Sequence, residues 1–352
     1  MLADWRVIGV LQYFAVSYLI VGMVESLASP AAAAAAPAAA LGINDGAAAA
    51  APPPPLPPAE TYAPLSASSL SASLWRDVGR YWQQWAAMSA VAALYLGLRN
   101  WLPLPDGCPT GYIGPGGISD GGAHRACTGG AARVIDVALF GERHMYHSMR
   151  GGVPQSSATC ADVYDCVVYD PESSLGWLTA SLLTFLGLQA GRVVVHYRAL
   201  LAGAREPAAR RTAVAAHVSR WLLWGVPLAL LGGALAGFSQ DGGWIPSNKN
   251  MWSPSFILII AGLDFCLLAA LFLLVDVAQL WAGAPFVYAG MNSIAVYFLS
   301  ESFDSVFPFR VTTSSDGDFA SHSARLFSNI LAVLCWLAVA RWMYTRKIFI
   351  NL

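Results

Sequence analysis

The stretch at residues 102–146 reads L-P-L-P-D-G-C-P-T-G-Y-I-G-P-G-G-I-S-D-G-G-A-H-R-A-C-T-G-G-A-A-R-V-I-D-V-A-L-F-G-E-R-H-M-Y. It lies between segments apolar enough to cross a bilayer, and it is dense in glycine and proline. Glycine admits positive φ and close backbone approach, while proline fixes corners. That composition argues against a helix or a regular sheet and for a compact cap outside the membrane. Long ordered loops commonly carry function, so the cap is also a candidate substrate mouth. The run G-P-G-G at 114–117 precedes no helix carrying Lys-Ser/Thr, so it reads as turns and not as a phosphate loop.

Outward from this stretch the chain is strongly apolar. Of its 352 residues 56% are hydrophobic and only 12% charged, about half the charged fraction of a soluble domain. A polytopic membrane protein follows. The net charge of −1, with no basic stripe, excludes a nucleic-acid partner. No secretory signal peptide is visible, since Leu2-Ala3-Asp4-Trp5-Arg6 leads directly into a full-length apolar segment.

Hydropathy divides the chain into a first span at 7–27 (domain 1–27), an Ala/Pro-rich linker at 28–73, and a six-span region at 74–352 that includes the loop 103–174. The linker lacks residues able to build a core and is expected to be disordered. The later spans are placed at 82–102, 175–197, 221–238, 256–275, a shorter 286–299, and 326–344. Within them Glu25 is expected to reach the interface, Gln12 to face protein or water, and Arg99 to snorkel. Pro227 is expected to kink the fourth span, and Gly232-Gly233 to permit close helix contact. The basic connection with Arg198, Arg205, Arg210 and Arg211 is four crossings from the basic tail, so both share one side, the cytosol by the positive-inside rule. The large loop then faces the other way. It carries four arginines against eight acids, as an extracytosolic segment should. A seven-span receptor is rejected because the loop is too long and no receptor motif is present.

Four of the six cysteines fall in that loop. An extracytosolic setting suits the pairs Cys108–Cys127 and Cys160–Cys166. Metal binding is the rival reading, but the spacings match no compact zinc pattern and no histidine pair is near, so no metal is expected. Cys266 and Cys335 lie inside spans.

A set of motifs in one order carries a resemblance. They are C-P-T-G-Y-I-G-P-G-G at 108–117, C-T-G-G-A-A at 127–132, I-D at 135–136, H-M-Y at 144–146, and Y-D-P-E at 169–172. F-L-G-L-Q-A-G at 185–191, I-P-S-N-K-N-M-W-S at 245–253, G-M-N-S-I at 290–294 and R-K-I-F at 346–349 follow, with R-V-I-G-V-L-Q at 6–12 ahead of them. In this the chain resembles the heparan-α-glucosaminide N-acetyltransferase family along nearly all its length apart from the Ala/Pro insertion. The resemblance implies a multi-pass lysosomal or vacuolar membrane enzyme with a cytosolic C-terminus. Such an enzyme moves an acetyl group from cytosolic acetyl-CoA to the terminal glucosamine of heparan sulfate or a similar amino sugar. It also implies that this chain corresponds to the last seven of eleven spans, with the family's catalytic histidine in the part that has no counterpart here. A truncated chain is the favoured expectation, and a natural half-protein the alternative.

Acetyl transfer needs a base for the amine, a donor for the thioester oxyanion and charge for the CoA phosphates. Asn292, an amide placed in mid-span, is a catalytic candidate as a donor; an interhelical hydrogen bond is the plainer role. His144 is a candidate base, against a structural histidine; His147 is weaker, since the family usually has glutamine there and histidine one position later, where this chain has Ser148. Arg6, Glu172, Asn248, Lys249 and Asn250 are candidate contacts to the amino-sugar acceptor. Interface anchoring, helix capping and turn geometry are their alternatives. Arg192, Arg198, Arg346 and Lys347 are candidates for the CoA phosphates, though the positive-inside rule accounts for the same residues. A small-solute permease and a non-catalytic membrane half needing a partner are rival functions; a permease would show an inverted repeat and more ionisable residues at mid-depth. Self-association into a homo-oligomer is compatible with this reading.

Overall fold

The computed structural model describes residues 8–28, 75, 77–114, 116–146, 148–150, 153–155, 169–204, 206–239, 242–303 and 322–350. The linker at 29–74, Arg6, and Cys160 and Cys166 lie outside them. The described chain is helical apart from one hairpin, in which β1 (Ser148–Arg150) pairs antiparallel with β2 (Val153–Gln155). The chain divides into two compact units, Met1–Ala269 and Ala270–Leu352.

The first unit contains α1 (Val10–Ala28), α2 (Trp82–Trp101), α3 (Gly130–Phe140), α4 (Ser174–Gly203), α5 (Pro207–Leu235) and most of α6 (Pro254–Phe272). Its organising element is α4, which packs against α1, α2, α3 and α5. The start of α4 is set locally. Pro171 precedes it, and Ser173 in extended conformation accepts a hydrogen bond from Gly176 N through its side chain. The buried residues Leu175, Thr179, Leu186, Ala190, Val193 and Tyr197 recur at helical spacing along one face.

Among the described residues five helices are long and apolar enough to cross a membrane: Val10–Ala28, Ser174–Gly203, Pro207–Leu235, Pro254–Val277 and Leu326–Thr345. α2 has 20 residues but carries Gln83, Gln84, Arg99 and Asn100 and does not join that set. The expected sixth span is broken into α7 (Phe286–Gly290) and α8 (Ser293–Ser302), with Asn292 in a non-helical conformation at the joint. Gly290 and Asn292 are both poor in a helix interior, and Asn favours the cap position. The basic connection is also helical. α4 and α5 extend through Arg198, Arg210 and Arg211, and the chain turns only around Ala204, with Pro207 opening α5.

The Gly-rich stretch departs from expectation as well, since it contains the eleven-residue helix α3. Its glycines cluster at 129–130 and 141, and the ten residues between them are free of glycine and proline. Gly129 (φ 79°) opens the helix and Gly141 (φ 79°) ends it. The Cys108–Cys127 disulfide closes the loop ahead of α3. Gly116 and Gly117 form turns as expected, and Tyr112 Oη accepts from Gly116 N at 2.9 Å. Tyr95, Ala131, Ala132, Tyr169, Leu175 and Met251 make the core beneath this cap.

Glycine sets the helix spacing at two places. A Cβ on Gly232 would lie 2.7 Å from backbone atoms of Ser255 and Ile259, and one on Gly262 would lie 2.4 Å from Ala229 N, so α5 and α6 touch backbone to backbone. Pro227 lies inside α5, which runs on through it. A Cβ on Gly176 would lie 2.0 Å from Tyr13 Oη, so α1 meets α4 only because that side chain is absent. Gly176→Ala is therefore expected to lower stability by about 1–3 kcal/mol through overpacking. Gly187→Ala, where a Cβ meets nothing within 4 Å, is expected to raise it by about 0.5–1 kcal/mol. Thermal unfolding of both variants in detergent checks the pair.

Candidate functional site

Polar groups gather at two levels of α4. Ser174 and Arg192 lie eighteen residues apart on that helix, so they are separated by about 27 Å, close to a hydrocarbon-core thickness.

At the cap end Asp136 of α3 is fully buried. Its Oδ1 accepts from Ser174 N at 2.9 Å and from Ser174 Oγ at 2.5 Å, which ties α3 to the first turn of α4. Its Oδ2 makes no hydrogen bond to the protein. Burial pushes its carboxyl up to about 6; the Ser174 hydrogen bonds oppose that rise and the nearby Asp170 charge adds to it. Asp170 accepts from Tyr146 N and Glu172 N, both at 2.9 Å, and so shapes the turn into α4. The Tyr13 hydroxyl, against Gly176, is buried, makes no hydrogen bond to the protein, and feels the charges of Asp136, Glu172 and Asp170. The Tyr13 ring lies 4.9 Å from that of Trp252.

The structure brings the expected cap residues onto this same end. Asn248 donates from Nδ2 to Ile113 O at 2.7 Å and accepts from Met251 N at 3.1 Å, so it joins the 245–253 turn to the Gly-rich loop. Asn250 hydrogen-bonds Tyr169, and Lys249 is exposed. Burial raises the Tyr169 hydroxyl, which the Asn250 bond opposes and Asp170 reinforces. Glu172 is half-buried, and His144 is half-buried on the turn Glu142–His144. Arg99 does not snorkel. It is 4% exposed, and its Nη2 donates to Gly111 O at 2.8 Å, fixing the loop to the end of α2.

At the other level Arg192 is engaged within the bundle through Nη2, while its Nη1 makes no hydrogen bond to the protein. Its Nη2 bonds Glu25 Oε2 and, at 2.6 Å, Gln84 Oε1, while Gln84 Nε2 donates to Glu25 at 2.8 Å. Glu25, near the end of α1, is thus a partner of α4. The Arg192 guanidinium lies 3.8 Å from the centre of the Tyr81 ring. Gln189, one turn nearer the cap, is fully buried, and neither amide atom bonds to the protein. A second pair is deeper still. Arg220 holds Asp77 through both oxygens, one bond being Nε to Oδ2 at 2.8 Å, and Trp224 Nε1 donates to Oδ2 at 3.2 Å. Trp85 stacks on Trp224 at 5.2 Å, and His217 stacks on Tyr197 at 5.0 Å. Arg198 is exposed.

In the second unit Asn292 is 1% exposed, and its Oδ1 accepts from Ile350 N at 3.1 Å. It therefore sits beside the tail and at a helix break. Its Nδ2 makes no hydrogen bond to the protein. Arg346 and Lys347 are exposed at the end of α9 (His322–Thr345), where Lys347 has φ 55°. Tyr344 lies between Tyr288 and Phe349, at ring distances of 5.0 and 6.1 Å.

Asp136, Tyr13, Gln84 and the Asp77–Arg220 pair were not singled out from sequence. The legible signal for Asp136 was a lone acid in the otherwise apolar run V-I-D-V-A-L-F. The ion pairs join residues 143 and 167 positions apart, which no local pattern reveals.

These features define a helical membrane protein with a disulfide-closed cap and polar clusters at two levels of its central helix. No family model matches the chain. It is 36% identical over 344 residues, 98% of its length, to heparan-alpha-glucosaminide N-acetyltransferase of Homo sapiens, and 37% identical over 274 residues, 78% of its length, to the Mus musculus protein of the same name. The chain belongs to that family. It spans 44% of the human relative and 38% of the mouse one.

The Asp77–Arg220 pair, with side chains 7% and 8% exposed, is open to a direct check. Arg220→Met or Asp77→Asn alone strands a buried charge or its hydrogen-bond partners and is expected to cost about 3–5 kcal/mol, whereas the double variant recovers most of that loss. A double-mutant cycle on detergent unfolding measures the coupling.

Proposed function

We propose that the chain works as part of a membrane N-acetyltransferase, passing an acetyl group from acetyl-CoA on the cytosolic side to the terminal amine of glucosamine in heparan sulfate or a similar amino sugar in the lumen. The observation that carries this reading is the match along 98% of the chain to proteins named for that reaction. The two polar levels on α4 are compatible with it. The acidic cap end suits an ammonium-bearing sugar, with Glu172, Lys249 and Asn250 near the acceptor and His144 as the base. Arg6 is a further candidate contact to that acceptor. The exposed cations Arg198, Arg346 and Lys347 are each candidates for a CoA phosphate in this reading, whereas Arg192 is already matched by Glu25. Asn292 keeps one amide donor unspent, which suits a thioester carbonyl. The compartment in this reading is a lysosomal or vacuolar membrane with a cytosolic C-terminus.

A second reading is a membrane half that acts only together with further segments. It is favoured by the share of the human relative that the chain spans, 44%. A small-solute permease has no comparable support.

The test is acetylation of glucosamine by the purified chain in vesicles, with acetyl-CoA supplied on one face. Turnover that needs the chain supports the first reading. Turnover that appears only after the remainder of a longer relative is co-expressed supports the second, and none in either case removes both. In an active preparation Glu172→Gln is expected to raise KM for glucosamine about tenfold, the scale of one charge-assisted hydrogen bond, and to leave KM for acetyl-CoA unchanged. Lys347→Ala is expected to do the reverse.

A further inference from the structure

Inside the spans of the first unit Arg192 and Arg220 are each met by a carboxylate, whereas the carboxyl of Asp264 has no hydrogen bond or ion pair among the described residues. Asp264 is the eleventh of the 24 residues in Pro254–Val277, the most apolar of the five spanning helices. At 1.5 Å per residue it stands about 15 Å from one end of that span and about 20 Å from the other, which is mid-depth. The side of α6 that meets α5 is elsewhere, since a Cβ on Gly225 would lie 2.8 Å from Gly262 O and 3.0 Å from Phe265 Cβ. Asp264 is exposed on the outward side together with Leu263, Leu267 and Leu268. Hydrocarbon accounts for the leucines. It does not account for the acid, because lipid offers a carboxyl no partner, and a mid-span acid faces protein or a water-filled cavity.

We propose that the outward side of α6 is the surface through which two copies of this chain meet in the membrane, about a two-fold axis along the membrane normal, with Asp264 hydrogen-bonded to its equivalent in the other copy. Such an axis brings the same residue of both copies to the same height, so each carboxyl finds a partner at mid-depth. Two adjoining carboxyls need only one proton between them, because the protonated group donates and the other accepts. The apolar residues fit the same contact. Asp264, Leu267 and Leu268 are spaced i, i+3 and i+4, which sets one polar residue within an apolar seam. In paired helices a single polar residue of this kind fixes register and the number of strands. The contact uses one patch twice and closes at two copies.

A cation from a second copy is the other way to answer the acid, and the described residues offer none at that depth. The exposed cations Arg198, Arg341, Arg346 and Lys347 all lie within a few residues of a helix end. Arg192 and Arg220 are already paired within the bundle. What a second copy does bring to mid-depth on this face is its own Asp264. The proposal concerns assembly and needs no activity, so it stands or falls apart from the acetyltransferase reading.

The experiment uses the full chain in lipid vesicles. Leu267→Cys, on the same face as Asp264, is expected to cross-link two copies on oxidation, whereas Leu230→Cys, exposed on α5, is expected to stay at the background set by the wild-type cysteines. Copies per particle are then counted as the chain is diluted into lipid. Asp264→Leu is expected to raise the chain-to-lipid ratio at which pairs separate by about tenfold, the scale of an interhelical hydrogen bond in lipid. It puts a residue that hydrocarbon accepts on an outward face, so the variant remains folded. Asp264→Asn keeps a donor and an acceptor and is expected to stay within about threefold of wild type. Single wild-type copies at every ratio overturn the proposal and leave Asp264 to be covered by another part of the same chain. A pair that Asp264→Leu does not weaken, or that cross-links equally through Leu230→Cys, overturns it by placing the contact elsewhere. A different polypeptide bound one to one in place of the second copy overturns it as well.

Discussion

A charge inside an apolar helix bundle persists only where an opposite charge or a full set of hydrogen bonds meets it. The first unit depends on that constraint. Arg192 on α4 is held by Glu25 of α1 and Gln84 of α2, and Arg220 on α5 is held by Asp77 ahead of α2. Each partner comes from a different element, so each pair also sets the relative height of two helices. Apolar packing between helices in lipid supplies little directional preference. The ion pairs supply it.

The same logic extends to the cap. Arg99, buried at the end of α2, donates to Gly111 O, and Asp136 brings a carboxyl inward onto Ser174. Between these two contacts and the Cys108–Cys127 disulfide, a Gly-rich segment with little apolar surface becomes an ordered lid over α4. Glycine then sets distance where charge sets height. Gly176 brings Tyr13 against α4, and Gly232 and Gly262 bring α5 against α6.

Function follows this division. The acidic groups sit at one level of α4 and the arginine pairs at another, with the fully buried Gln189 nearer the latter. The paired arginines Arg192 and Arg220 are parts of the helix packing, while Arg198 is exposed.

The sequence by itself determined the class of fold, the apolar segments that became α1, α4, α5, α6 and α9, the Cys108–Cys127 pair, the close approach at Gly232, and the family, because each is written in local composition or in short motifs. What only the tertiary structure decided is which polar residues answer one another. Glu25 and Arg192, Asp77 and Arg220, Asp136 and Ser174, and Asn292 and Ile350 are all distant in the chain. Hydropathy treats such a residue as an exception within a span, whereas its energy is fixed by the partner that packing delivers. Helix α3 was hidden for a related reason, since the glycines that seemed to forbid it are its two ends.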